Sequence, residues 1–479
     1  MFRVLRRILR RLFRRRMRRD GVYFAWRWWT WDQLCQGWIA TGGIGSGKSY
    51  STEGLLRALI ASGCPLLSTA VKVDEAERYE RICRELGCLD RFVRVTPWTH
   101  AIDVMDELTR DKGSPADAAA FLMNLADIEK KDSGQGDGAA FWRAKEEAGI
   151  DSAIRLCLAT GTSPSILNIY KVVMSSPTEL GQGGRDANGN PVNLEYDFEG
   201  PLAEGMRLFP RLMRLYRQKL QGGGDAAEYN RIYDVFMKEI CATDKIYGGV
   251  MAGLTGILGR FVLPPMLDAL NHTTLSIAEI EARGLVVVID YPLMKYHTAG
   301  RLYACIYVML AQRYLMARSK KGISKPFVIC RDEAGWTLHP EWDSKANNTL
   351  RSQQCCDIAI VQDLNTLEAA LGGGQKSHHE AMAFASNHMH KLFFGNYSQD
   401  TNKWASEMSG MYKEVCISSG QHDAEDFAGK VLGARSVNWT FHYQPVVRPE
   451  HFNQLEVGCA YLMSGGAVTY VDFRGKGKA

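Results

Sequence analysis

The chain has 479 residues, 46% hydrophobic and 23% charged, which supplies apolar material for two or three packed domains and excludes a disordered chain. Its 12 cysteines include no CxxC pair, so they read as reduced core thiols rather than a disulfide framework. The formal net charge of +5 is unevenly spread: residues 1–19 hold 10 arginines and no acid, and without them 48 basic residues face 53 acidic ones, which excludes a broadly basic domain surface.

In residues 1–19, Leu5, Ile8, Leu9, Leu12 and Phe13 recur at helical spacing, predicting an amphipathic helix with an arginine face. Such a helix suits the anionic surface of an inner membrane; arginine arms also bind nucleic acid, and a plain solvated face is the third reading. Tyr23, Phe24, Trp26, Trp28, Trp29 and Trp31 follow, either as an interfacial aromatic belt or as a core strand. No stretch reaches the roughly 18 apolar residues of a spanning helix, so the chain is expected not to span a membrane and to attach, through this start, peripherally at a cytoplasmic membrane face. Residues 1–31 form this first segment.

Strand patterns at 38–41, 64–71 and 92–96 alternate with helical patterns at 48–61 and 74–86, the signature of a mostly parallel sheet. Residues 32–106 therefore read as the first part of a nucleotide-binding domain. Helical periodicity then dominates at 116–128, 141–159, 165–174, 202–220 and 230–240, separated by glycine-rich joints at 133–138, 181–190 and 222–224. This predicts an all-α insertion over 107–267. Apolar runs at 285–290, 327–330, 358–361, 391–394 and 460–463 resume the sheet in 268–479, the second part of the nucleotide-binding domain.

Residues 42–49 read GGIGSGKS, a full GxxxxGK[ST] match between a strand and a helix. Glycines let the backbone wrap a phosphate chain, so Gly42, Gly43, Ile44, Gly45, Ser46, Gly47, Lys48, Ser49 and Tyr50 are the predicted ATP-binding segment. Lys48 is expected to reach the β and γ phosphates, and the Ser49 hydroxyl to ligate Mg²⁺. The strand at 327–330 leads through Arg331 to Asp332 and Glu333, read as the metal-side carboxylate and the group that polarises the hydrolytic water. Gln362, after the strand at 358–361, sits where a γ-phosphate sensor belongs, and Arg351 before that strand is a candidate arginine finger acting across a subunit interface.

These residues resemble the type IV coupling proteins of TraG/TraD kind, within the RecA-like FtsK and HerA motor group. The resemblance rests on GGIGSGKS, on KVDE at 72–75, on Phe141 with Trp142, on TTLSIAEIEARGLVVVIDYPL at 273–293 and on RDEAGW at 331–336. It continues through LRSQQCCDIAIVQDLNTLE at 350–368 and the segment 385–410, its most family-specific part. It implies a RecA-like P-loop NTPase of α/β class interrupted by an all-α domain, working as a homohexamer. It also implies DNA, as a single strand led by a relaxase, as substrate, relaxosome partners, and delivery to type IV secretion channel components. The chain departs from the family in opening on an arginine helix where spanning helices are usual, and in carrying Ala70 where an acid is usual. Two other readings use the same motifs: an ATP-binding scaffold of a membrane secretion complex, and a small-molecule phosphotransferase whose helical domain is a lid.

Overall fold

The computed structural model describes residues 20–109, 113–128, 139–177, 207–319, 322–339, 342–343, 346, 349–425 and 431–474. The helix expected at 1–19 and the glycine joints at 133–138 and 181–190 lie outside them.

The strands are β1 (Gly21–Phe24), β2 (Arg27–Thr30), β3 (Trp38–Thr41), β4 (Leu66–Thr69), β5 (Phe92–Val95), β6 (Val286–Ile289), β7 (Phe327–Arg331), β8 (Cys355–Val361), β9 (His390–Phe394), β10 (Met411–Glu425), β11 (Val431–Pro445), β12 (Cys459–Ser464) and β13 (Ala467–Asp472). Nine of them make one sheet in the order β13-β12-β9-β3-β8-β7-β4-β6-β5. From β9 to β5 all neighbours run parallel, while β12 and β13 form an antiparallel edge. The parallel strands are covered on both faces, which is why every residue of β6, β7 and β8 is buried and all but Arg331 and Asp357 are apolar. Alternate residues feed opposite cores: Val287 and Ile289 join one, Val286 and Val288 the other.

Among the described residues, only helices lie between β5 and β6, from Val104–Thr109 to Ile277–Arg283. Their starts are marked by side chains that accept from the first turn: Ser114, Ser165, Asp225, Thr243 and Ser276. The helix expected at 202–220 is seen as Leu208–Gln221, the one at 230–240 as Ala226–Asp234 running into a π-turn, and Asp244–Leu258 is a further helix. These helices pack in one continuous core with the long helix Leu293–Ala317 and one face of the sheet.

Two hairpins add to this frame. In β1–β2, Ala25 and Trp26 both take positive φ, 48° and 63°, in the two-residue turn that matches strand twist. Trp29 is fully buried between Trp38 and His390, each ring 4.7 Å away, and Tyr23 and Trp26 point outward. Phe24 and Trp29 are therefore core residues of this hairpin, while Tyr23 and Trp26 stay at its surface. Among the described residues the second hairpin, β10–β11, forms a two-stranded sheet of its own. Its register places Val415 opposite Phe441 and Ile417 opposite Trp439, giving one apolar face whose side chains are about half exposed or more. Among the described residues no helix is long and apolar enough to cross a membrane.

Candidate nucleotide site

The loop between β3 and the helix Lys48–Ala61 is shaped by its glycines. Gly45 and Gly47 take φ of 75° and 93°, and Gly47 leaves the helix start without a side-chain cap. A Cβ on Gly42 would stand 2.6 Å from the Phe394 Cβ, and one on Gly47 would stand 2.7 Å from the Gly458 nitrogen. The loop is pinned from behind, the Gly43 amide donating to the Gly395 carbonyl at 2.8 Å and the Gly458 amide to the Ser46 carbonyl at 2.9 Å. Lys48 Nζ folds back onto the Gly42 carbonyl and, at 2.9 Å, the Gly43 carbonyl. Burial lowers its pKa, while Glu333 and Asp332 pull the other way. Ile44, Gly45 and Tyr50 are the exposed members of the segment, whereas Ser46 Oγ is buried without a hydrogen-bond partner.

The second half of the site arrives from β7, two strands from β3. Ser49 Oγ donates to Asp332 Oδ2 at 3.2 Å, joining groups 283 residues apart. Glu333 follows with φ 51° and ψ 55°, a left-handed backbone that glutamate rarely adopts. Gln362 Nε2 lies 3.4 Å from Glu333 Oε1, and the Gln362 carbonyl accepts from the Gly42 amide at 2.9 Å and from Asn396 Nδ2 at 3.1 Å. A cavity of about 170 Å³ is lined by Glu333, Gln362, Trp336 and Thr366, room enough for water beside the Glu333 carboxylate. Among the described residues no group of three His, Cys, Asp or Glu side chains is placed to hold a metal ion by itself. Ser49 and Asp332 instead offer two oxygens, a set that fits Mg²⁺, which keeps waters and binds substrate phosphates.

Residues 326–457 match a family model, the TraM recognition site of TraD and TraG. The bacterial conjugative coupling protein TrwBdeltaN70 superposes with a TM-score of 0.61 at 13% identity, covering 96% of this chain and 91% of that one. The coupling protein TrwB in complex with an ATP analogue gives 0.59 at 14% identity, over 95% and 89%. VirB4 of Thermoanaerobacter pseudethanolicus gives 0.53 at 13%, over 92% and 90%. No curated protein matches in sequence. The chain has the coupling-protein fold.

Within that coupling-protein fold, Arg351 is not brought to the site. It is exposed on the turn Arg351–Gln353 before β8, at the opposite end of the strand from Gln362. The seven residues of β8 separate them by roughly 23 Å. Arg331, in contrast, is fully buried and holds the site from beneath: its guanidinium meets Asp343 Oδ1 and Asp357 Oδ2, both at 2.6 Å. Asp343 also accepts from Gln312 Nε2 and the His339 amide, and Asp357 contacts His388 Nε2 at 3.1 Å. Burial pushes the Asp357 carboxyl up, but Arg331 and His388 outweigh it and hold it at about 2.

Sequence reasoning missed two side chains here. Glu75, the last residue of KVDE, caps the amides of Val71 and Lys72 at 2.5 and 3.3 Å. Burial and the neighbouring Asp332 push it up to about 8. Arg78, one turn on, places Nη1 3.6 Å from Asp332 Oδ2. Both sit on the charged helix Glu75–Glu85, which its composition presents as a solvated face; the acid following β4 was the available signal.

Proposed function

We propose that the chain is an ATP-hydrolysing DNA translocase, a coupling protein that delivers relaxase-bound single-stranded DNA to a type IV secretion channel during conjugation. The observation that carries this is the Ser49–Asp332 hydrogen bond, which closes the two halves of a nucleotide site inside the coupling-protein fold.

ATP is the substrate. Its phosphates fit against the amides of the glycine loop and the open start of the helix Lys48–Ala61. Lys48 exchanges the Gly42 and Gly43 carbonyls for phosphate oxygens, the stronger charged partner. Ser49 and Asp332 would hold Mg²⁺, which supplies charge neutralisation for phosphoryl transfer. Glu333 polarises the attacking water, and Gln362, hydrogen-bonded to it and tied to Gly42, links that water to the state of the loop. A homohexameric ring, relaxosome contact through the segment 326–457, and attachment of residues 1–19 to the inner-membrane surface complete the reading.

The test is hydrolysis with and without single-stranded DNA. Wild type should be stimulated; Glu333→Gln should retain ATP while turnover falls about 10²–10⁴-fold. Hydrolysis indifferent to any nucleic acid rejects the motor and returns the scaffold and phosphotransferase readings.

A further inference from the structure

Outside the nucleotide site, an aromatic group beyond the carboxyl ends of β5 and β6 surrounds Trp98. The turn after β5 presents this residue: Thr99 Oγ1 accepts from the Thr96 amide at 3.0 Å, and Thr96 Oγ1 from the Trp98 amide at 3.3 Å. Trp98 is 63% exposed although its ring meets Tyr291 at 5.6 Å and Tyr296 at 5.9 Å, which stack on each other at 4.0 Å. Lys295 Nζ stands 5.1 Å over the Tyr296 ring. Beside Trp98 opens a cavity of about 420 Å³, whose lining includes Pro264, Pro265, His100, His272 and Asp268. That volume falls in the range of small-ligand sites, roughly 300–1,000 Å³. Flat apolar walls, polar edge groups and an adjacent ammonium are what an unpaired base with its phosphate requires.

The platform is joined to the phosphate site by main chain. The Met294 amide donates to the Val71 carbonyl at 3.4 Å, and the amides of Val71 and Lys72 are capped by Glu75, which neighbours Asp332. Lys72 is exposed on this connection, adding a second cation. His297, three residues beyond Met294, has φ 47° and ψ −126° within a helix, backbone strain of the kind found at moving functional segments.

We propose that Trp98 and Tyr296, backed by the buried Tyr291 and flanked by Lys295 and the adjoining cavity, form a stacking platform for bases of single-stranded DNA, tied to the nucleotide site through residues 71–75. This rests on the DNA-motor reading above. The platform grips unpaired bases irrespective of sequence, because every base offers a π-face. Residues 71–75 connect that grip to the carboxylates around the metal position.

The experiment measures binding of a labelled oligothymidylate by the full chain, with DNA-free ATPase as control. Trp98→Ala should weaken binding about tenfold or more, Trp98→Phe should keep most of it, and both should hydrolyse ATP normally without DNA. Lys295→Ala should reduce the salt slope of single-strand binding by about 0.7. DNA stimulation of hydrolysis should fall with binding in Trp98→Ala. Wild-type binding by Trp98→Ala overturns the proposal, as does equal loss in Trp98→Phe. A change in native oligomer mass in Trp98→Ala also overturns it, since the residue would then be a subunit contact. Absence of DNA binding by the wild type would instead sink the motor reading itself.

Discussion

Replacing Arg331 with methionine removes the guanidinium that bridges two buried carboxylates. Arg331 is fully buried, Asp343 and Asp357 are 2% and 5% exposed, and both contacts are 2.6 Å. Breaking such a pair from one side costs about 3–5 kcal/mol, because the abandoned charge stays in a low-dielectric interior. At about 2–4 °C per kcal/mol for domains of 150–250 residues, the unfolding midpoint should fall by roughly 10 °C, followed by circular dichroism. Neutralising the abandoned carboxylates, in Arg331→Met with Asp343→Asn and Asp357→Asn, should recover part of the loss. If the single variant unfolds within a degree or two of wild type, or the triple variant is no better than the single, the buried-charge account is wrong. Turnover measured well below the midpoint should also drop in Arg331→Met, since β7 delivers Asp332 and Glu333 directly from this residue.

Other consequences can be measured separately. His390 is buried between Trp29 and Trp38, with its ring nitrogens bonded to the Gln33 carbonyl and Ser464 Oγ, and burial pushes its pKa down to about 4. The folded state stays neutral while the unfolded chain takes up a proton below about 6.5, so stability should be lost as pH falls from 6.5 towards 4, at about 1.4 kcal/mol per unit. His390→Gln should flatten that slope in denaturant titrations; an unchanged slope refutes the assignment. Gly47→Ala should abolish ATP binding in calorimetry, because φ of 93° and a 2.7 Å approach to Gly458 both resist a side chain, and wild-type affinity would contradict this. Replacing residues 414–442 by a short glycine linker should leave the unfolding midpoint and DNA-free hydrolysis unchanged, because the ribbon bonds to no other strand. A chain that no longer folds would show that the ribbon supports the body.

The nucleotide loop was legible because its signal is local: an apolar strand, spaced glycines, Lys48 and a helix start are read from adjacent residues. Asp332, Glu333 and Gln362 followed from the rule that active groups sit at the carboxyl ends of parallel strands. Arg351, read as a finger acting across a subunit interface, stands before its strand instead of after it and so lies away from the site of its own protomer. The edge strand β13 had a local signal that was overlooked, the Gly465-Gly466 turn with φ of 58° and 79°, whereas the antiparallel pairing of β12 with β9 depends on long-range contact. The β1–β2 turn was hidden because Ala25 and Trp26 occupy positions where Asn-Gly would have announced it. Arg331 became intelligible only once Asp343 and Asp357, remote in sequence, were seen to converge on it.

The left-handed backbone at Glu333 sets heat resistance against turnover. A non-glycine residue held there costs about 1–2 kcal/mol, which glycine would recover. Directed evolution that scores survival after heating, with no activity screen, is therefore drawn towards glycine at the carboxylate proposed to polarise the attacking water. Hardened variants from such a selection should lose turnover, and a durable variant that keeps it must gain its robustness elsewhere in the chain.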